Sequence, residues 1–310
     1  MKRGGTVYYT DELNDDFAGN GISAVTVEKD FPFAPRGALW RVLEFLAYYA
    51  FAIPVVALIW LVSGFTIHGR RNVRALRREL KKSGKGFFLY ANHTHWLDAF
   101  AGPLVSFPTK CHVLVSPDTV SIKGIRTFVQ MLGAIPVPTA RDAIQPFTEA
   151  IDLRVNEGRS MMIFPEAHIW PYCTFVRDFK NGSFRYPVKL DSPVLAVCVT
   201  YTRHKGLLKF MHAPKRHVYI SEPFRPDPAL SQPAAKQKLR DEVHGWLKKT
   251  AEAHSDYEFV HYEKKEGSGL PDKEVPMRAE RAAGPTRNAC KFRGGTRRAA
   301  RGAERDKPSS

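Results

Sequence analysis

Four zones of hydrophobic pattern follow one another along the chain and predict its organisation. Residues 1–37 are polar, and residues 38–85 join an apolar run to a basic one. From residue 86 to 263, short β-branched and aromatic runs alternate with longer amphipathic stretches, a pattern typical of an α/β domain. Residues 264–310 contain almost no large apolar side chain, which predicts a disordered basic tail.

The α/β segment is expected to form a central mixed β-sheet flanked by helices. Runs rich in β-branched and aromatic residues predict strands at 87–91, 112–116, 134–138, 160–164, 194–201 and 217–221. Apolar positions at helical spacing predict helices at 122–132, 143–156 and 234–253. In such sheets the loops at the strand ends are where sites lie, so polar residues there are the first candidates for chemistry.

The most apolar stretch, residues 38–64, predicts contact with a membrane. Residues 45–62 carry no charged side chain, which is near the lower limit for a membrane span. Pro54 allows one kinked helix or two short helices that meet near Ile53 and Pro54. We expect the second form, a two-helix motif partly immersed in the bilayer. A buried core helix is the alternative, but the Trp and Tyr rings of this run are typical of membrane interfaces.

Eight basic side chains follow between Arg70 and Lys85 and face a single acid, Glu79. Such a juxtamembrane cluster is attracted to anionic headgroups by about 1 kcal/mol per residue and marks the cytoplasmic side. The formal net charge of +16 by itself leaves nucleic acid, anionic lipid and phosphorylated substrates open as partners. The four cysteines lack the spacing of a zinc site or a disulfide framework, so we expect buried reduced thiols.

The sequence GFFLYANHTHWLDAFAGP carries the clearest candidate chemistry. Asn92 and His93 end a predicted strand, and Asp98 follows His93 after four residues. A histidine there can act as a general base when a carboxylate sets its tautomer and orientation. In acyl transfer it would take the proton from a hydroxyl that attacks a thioester, so no serine or cysteine nucleophile is required.

A second carboxylate, Glu166, follows Pro165 at the end of the apolar strand in SMMIFPEAHIWP. It could bind the free hydroxyl of an acceptor or order a basic neighbour. Together with GAIPVPTAR at 133–141 and SPVLAVCVTYT at 192–202, the two carboxylate motifs form an ordered series of four.

Two other classes of function stay open. A metal-dependent hydrolase could use His93, His95 and Asp98, with His168 as a further ligand. The usual HxHxDH spacing of such enzymes is not met, because two residues separate His95 from Asp98 and Ala99 stands where the motif has histidine. A basic protein that binds nucleic acid or an anionic surface is the other alternative. No nucleic-acid-binding fold is recognisable, so we expect no nucleic acid partner.

The series of four motifs resembles the glycerolipid acyltransferase superfamily, which contains bacterial 1-acyl-glycerol-3-phosphate acyltransferases, over residues 87–223. The resemblance implies a two-helix membrane motif in the apolar segment. It also implies a catalytic pair, His93 and Asp98, and a substrate site that includes Asn92, Pro165 and Glu166.

The acceptor phosphate is where this chain departs from the family. Gly133 opens the block that usually supplies a basic residue for phosphate, and Arg141 is the candidate there. Lys180 lies in the region after the glutamate. The family commonly has Gly, Thr and Arg directly after that glutamate, whereas this chain has Ala, His and Ile at 167–169. Phosphate binding then falls to Arg141, Lys180, Arg177 or Arg185, or the acceptor is a different lipid.

The resemblance implies an O-acyltransferase without a bound cofactor or metal. Its donor would be acyl-CoA or acyl-carrier protein, and its acceptor a lysophospholipid. For 1-acyl-glycerol-3-phosphate the product would be phosphatidic acid. We expect a membrane-associated protein on an anionic surface, with its active site on the cytoplasmic side.

Overall fold

The computed structural model describes residues 4–19, 24–121, 124–206 and 213–265. The tail predicted for residues 264–310 lies, from residue 266 onwards, outside the described residues.

Nine strands occur in the described part of the chain. They are β1 (Thr6–Tyr9), β2 (Thr66–His68), β3 (Phe88–Ala91), β4 (Cys111–Val115), β5 (Ala134–Pro136), β6 (Ser160–Ile163), β7 (Val194–Thr202), β8 (Lys215–Ile220) and β9 (His261–Lys264). Seven of them form one sheet in the order β2-β8-β7-β3-β6-β4-β5, and β1 pairs with β9 in a separate parallel ribbon. The sheet is parallel except between β7 and β8, so the prediction of a mixed sheet is confirmed.

Eight α-helices accompany the strands within the described residues. They are α1 (Ala38–Phe45), α2 (Ile53–Val62), α3 (Arg70–Leu80), α4 (Ala101–Ser106), α5 (Arg126–Met131), α6 (Ile144–Asn156), α7 (Arg185–Leu190) and α8 (Gln232–His254). The central strand β3 shows how the two faces are covered. Phe88 and Tyr90 pack into the cluster that includes α6 and α8, whereas Leu89 and Ala91 pack into the cluster under α2, α3 and α4. Side chains alternate between faces along a strand, so β3 is buried on both sides.

The apolar segment is one continuous helix of 25 residues, Ala38–Val62. The expected break near Ile53 and Pro54 is therefore wrong. A π-helical turn, Leu46–Ala52, joins α1 to α2 directly before the proline. A proline inside an α-helix clashes with the carbonyl four residues earlier, and a wider turn at that place accommodates the ring. The helix is long and apolar enough to span a membrane, and 17% of its apolar window is buried against the domain.

Polar contacts hold the first half of this helix to the sheet. Glu44 forms a buried ion pair with Lys110 at 2.6 Å, and the Tyr48 hydroxyl accepts a hydrogen bond from the backbone N–H of Cys111 at 2.9 Å. Both partners lie at the amino end of β4. Further along the helix Trp60 is buried and stacks on Phe65. The remaining sides of the helix expose a large apolar surface, including Leu39, Phe51, Leu58, Leu61 and Val62.

Candidate active site

The candidate site lies where β3 and β6 end, at the carboxyl edge of the parallel strands. Asn92 fixes the end of β3 by exchanging two hydrogen bonds with the backbone of Val199 in β7, at 3.0 and 2.8 Å. Its amide is buried and is bonded to Val199 through both its nitrogen and its oxygen. Asn92 therefore fixes the position of the turn that carries His93, and its own side chain points to β7 instead of a substrate.

Asp98 organises the same turn by capping a short 3₁₀-helix, Trp96–Phe100. Its Oδ2 accepts hydrogen bonds from the backbone N–H groups of Thr94 and His95, both at 2.7 Å, and from the Thr94 hydroxyl at 3.1 Å. The carboxylate is 2% exposed. A cap of this kind satisfies backbone donors that the helix leaves unpaired, and it fixes the carboxylate beside His93.

The His93 ring is held between Asp98 and an aromatic side chain. Its Nδ1 lies 3.7 Å from Asp98 Oδ2, and its ring stacks on Phe164 with centroids 3.9 Å apart. Nδ1 of His93 and Oδ1 of Asp98 have no hydrogen-bond partner among the described residues. Catalytic hydrogen bonds are commonly long before substrate binds. The arrangement directs Nδ1 at the carboxylate and leaves Nε2 for chemistry.

Glu166 holds His93 in place through a hydrogen bond to the backbone of His93. Its Oε2 accepts a hydrogen bond from the N–H of His93 at 2.9 Å and another from the Arg177 guanidinium at 2.8 Å. Its Oε1 accepts from the backbone N–H of Arg177 at 3.1 Å. The carboxylate is 1% exposed, so it orders a basic neighbour and is not open to an acceptor hydroxyl. Ordering a basic neighbour is one of the two roles that the sequence left open for Glu166.

Arg177 is fully buried, which removes it as a candidate for acceptor phosphate. Its guanidinium pairs with Glu166, lies over the Trp170 ring at 4.6 Å and donates to the carbonyl oxygens of Glu12 and His168. Sequence reasoning missed this positioning role. The available signal was the apolar context, because Arg177 stands in the run FVRDF.

The backbone after Glu166 turns in an unusual conformation. Ala167 has a φ of 66°, in the left-handed region that favours glycine, and the related family commonly has glycine there. His168 follows and places its Nδ1 3.6 Å from Asp16 Oδ2. The amino-terminal segment thus contacts the residue directly before Ile169, which is the position where the family commonly has its phosphate-binding arginine.

His95 serves the fold of the turn. Its Nδ1 accepts a hydrogen bond from the backbone N–H of Leu97 at 3.1 Å, as the amino cap of the 3₁₀-helix. Burial, with the nearby Arg216 charge second, lowers the pKa of His95 to about 4. Within the described ranges no three His, Cys, Asp or Glu side chains are grouped to hold a metal ion.

Of the remaining predicted residues, Pro165 and Lys180 lie at the same edge of the sheet as His93, and Arg141 follows a more distant strand. Pro165 is buried beside it, and its carbonyl accepts the backbone N–H of Lys180 at 3.0 Å, which brings the exposed Lys180 to the same edge. Arg141 is also exposed and follows β5. In the sheet, β5 is the third strand from β3, so the two strands are about 14 Å apart.

Gly133 precedes β5 at the opposite, amino edge of the sheet, so the structure does not bring it to the site. A Cβ there would lie 2.6 Å from the carbonyl oxygen of Cys111, and its φ is 102°. The need for glycine at this position is thus a matter of backbone packing.

The chain is similar to known proteins over part of its length. A family model described as acyltransferase matches residues 64–200. No curated protein matches the chain. Among solved structures, the 1-acyl-sn-glycerophosphate acyltransferase PlsC of Thermotoga maritima is similar, with 20% identity, a TM-score of 0.47, and coverage of 69% of this chain and 79% of that chain. The segment that matches the acyltransferase family model contains His93, Asp98 and Glu166.

Proposed function

We propose that this protein transfers a fatty acyl group from acyl-CoA or acyl-carrier protein to the free hydroxyl of a lysophospholipid. The proposed acceptor is 1-acyl-glycerol-3-phosphate, and the product is phosphatidic acid. The observation that carries the proposal is the placement of His93 at the end of β3, with Nδ1 3.7 Å from a buried carboxylate oxygen of Asp98. This pair lies inside the segment that matches the acyltransferase family model.

In the proposed mechanism, His93 Nε2 takes the proton from the acceptor hydroxyl as its oxygen attacks the thioester carbonyl carbon. Asp98 holds the ring and stabilises the imidazolium that forms. The tetrahedral intermediate then collapses, the carbon–sulfur bond breaks, and the proton on His93 passes to the departing thiolate. The histidine is regenerated, and no acyl-enzyme is formed.

The cysteines favour this direct transfer over a thiolate nucleophile. Burial raises the pKa of the Cys111 thiol to about 12 and also raises the pKa of Cys173 and Cys198. A nucleophilic cysteine needs the opposite shift, because the thiolate is the reactive form. Cys290 lies outside the described residues.

Membrane attachment is part of the proposal. The helix Ala38–Val62 offers the apolar surface, and Trp96 adds an exposed ring beside the candidate site, at 61% exposure. The basic run between Arg70 and Lys85 supports the cytoplasmic side. For the acceptor phosphate, Lys180 is favoured over Arg141 because its backbone is bonded to Pro165, next to Glu166.

The decisive experiment replaces the proposed base. His93→Ala should lower kcat/KM by about 100- to 10,000-fold, the usual contribution of a general base. Initial rates should be measured with lysophosphatidic acid and with both donor types. His261→Ala is the matched control, since His261 is exposed on β9. Near-normal turnover of folded His93→Ala protein would refute the mechanism.

A further inference from the structure

A basic cleft opens at the edge of the sheet opposite His93. It is lined by residues between Arg74 and Lys85 and by residues one or two positions before three parallel strands, namely Phe87 before β3, Thr109 before β4 and Gly158 before β6. His93 follows β3, so the length of the strand separates it from Phe87, about 20 Å at the usual rise. One acceptor molecule bound at His93 cannot place its phosphate in this cleft.

Five cationic side chains line this cleft of about 560 Å³, and no carboxylate lines it. They are Arg74, Arg77, Arg78, Lys81 and Lys85. None of the ion pairs within the described chain uses them. The single acid of the segment, Glu79, is instead bonded through both oxygens to Arg225. The cleft therefore has an uncompensated positive charge and a volume suited to a small anionic group.

The cleft has fixed elements in addition to charge. Nε of Arg77 donates a hydrogen bond to the Thr109 hydroxyl at 2.9 Å, which orients this half-buried guanidinium. Gly84 and Gly158 approach so closely that a Cβ on Gly158 would lie 2.9 Å from the Gly84 carbonyl oxygen. An oriented guanidinium beside a flat backbone floor is a typical way to hold a phosphate through paired hydrogen bonds.

The apolar helix continues to the rim of the cleft. The Tyr49 hydroxyl donates to the carbonyl oxygen of Pro108 at 2.9 Å, and the Tyr49 ring packs against Phe107, which is 51% exposed. Thr109 follows directly and belongs to the cleft. The exposed apolar surface and the cationic pocket are thus contiguous, which is the surface pattern that one phospholipid presents through its acyl chains and its headgroup.

We propose that this cleft binds the phosphate headgroup of an anionic phospholipid that is not the substrate, in the membrane that the helix contacts. The bound lipid would fix the depth and rotation of the domain while the opposite edge carries out transfer. The inference rests on the proposed membrane attachment and is independent of the proposed reaction.

Two triple variants of the full chain, each losing three positive charges, distinguish specific binding in the cleft from general electrostatic attraction of the basic segment to the membrane. Arg74→Gln/Arg77→Gln/Arg78→Gln removes three charges from the cleft, and Arg70→Gln/Arg71→Gln/Lys82→Gln removes three from the same segment outside it. Sedimentation with phosphatidylcholine vesicles, with and without phosphatidylglycerol, measures affinity. The cleft variant should lose at least about tenfold more affinity for the anionic vesicles than the control variant. Equal losses would overturn the proposal.

Thr109→Val keeps the net charge and removes only the anchor of Arg77. It should weaken binding to anionic vesicles by about threefold, the effect of one hydrogen bond, and leave neutral vesicles unaffected. No change would mean that the cleft is not an ordered site. His93→Ala should bind vesicles as the unmodified protein does, so failure of the reaction and failure of the cleft are distinguishable.

Competition identifies the source of the phosphate. Inorganic phosphate and glycerol 3-phosphate, at the concentration of accessible lipid headgroups, should not displace the protein from anionic vesicles. Displacement by either would assign the cleft to a soluble phosphate compound. Loss of binding to acyl-carrier protein in the cleft variant, with vesicle binding intact, would assign it to an acidic protein. Either result overturns a lipid site.

Discussion

The two edges of the sheet use charge in opposite ways. At the carboxyl edge, Glu166 and Arg177 are buried and paired at 2.8 Å. At the amino edge, the cleft arginines Arg74 and Arg78 are exposed and take part in no ion pair among the described residues. Buried charges are costly and must be fully partnered, so such a pair fixes geometry. Exposed unpaired charges remain available to a ligand.

The largest expected effect comes from breaking the buried pair. Arg177→Met leaves the Glu166 charge buried without its partner and should cost about 3–5 kcal/mol in the free energy of unfolding. Urea denaturation measures this loss. Arg78→Met at the amino edge should change stability by less than about 0.5 kcal/mol, since it is an exposed substitution. Comparable losses in the two variants would contradict the contrast between the edges.

The double variant Glu166→Gln/Arg177→Met should recover part of that stability, because no buried charge is then left alone. Kinetics of the single variant Arg177→Met test the role of this residue. If Arg177 acts only by ordering Glu166 and His93, the variant should have a lower kcat, while its KM for both substrates stays near the original value. A selective rise in KM for the acceptor would instead mean that Arg177 reaches the lipid.

An intermediate effect is expected at the exposed lysine of the carboxyl edge. Lys180→Gln should raise KM for lysophosphatidic acid by about tenfold or more, since a hydrogen bond to a charged group contributes about 1.5–3 kcal/mol. KM for the acyl donor should not change. Arg141→Gln, three strands away, is the matched variant and should have a smaller effect. Unchanged KM values in both would indicate an acceptor without a phosphate monoester.

The smallest effect concerns backbone strain. Ala167, with φ 66°, stands in a conformation that costs a non-glycine residue about 1 kcal/mol, so Ala167→Gly should raise the free energy of unfolding by up to that amount. Gly158, with φ 77° at the amino edge, already has the favoured residue, and Gly158→Ala should lower stability by at least as much. Thermal unfolding of the two variants checks the signs. A destabilised Ala167→Gly would show that the methyl group contributes packing that outweighs the strain.

Local pattern was sufficient for the main elements of the sheet. All six predicted strands are present, as are the helices that match α6 and α8, because runs such as MMIF and VLAVCV are buried on both faces. The ribbon of β1 and β9 was not predicted. Each strand has only four residues, and their pairing depends on a partner at the far end of the chain.

The candidate site was predictable in its residues and less so in their roles. His93 and Asp98 stand close in sequence, so their contact follows from one turn. The orientation of Glu166 depends on Arg177 and on the covering amino-terminal segment, which are brought to it by tertiary packing. The spacing of residues in the sequence does not predict contacts that depend on tertiary packing. The same limit explains why Gly133, identified by motif, proved to lie at the other edge.

The β1–β9 ribbon makes completion of the carboxyl edge a late event during synthesis. Thr6 pairs with His261, and the segment after β1 supplies carbonyl oxygens that bond Arg177 and the indole of Trp170. Contacts between such distant residues form slowly, because a long loop must close first. A nascent chain that has not yet released β9 from the ribosome lacks the ribbon that holds β1 in place. We therefore expect acyl transfer to begin only after the chain is made through Lys264, however early the helix Ala38–Val62 reaches a membrane.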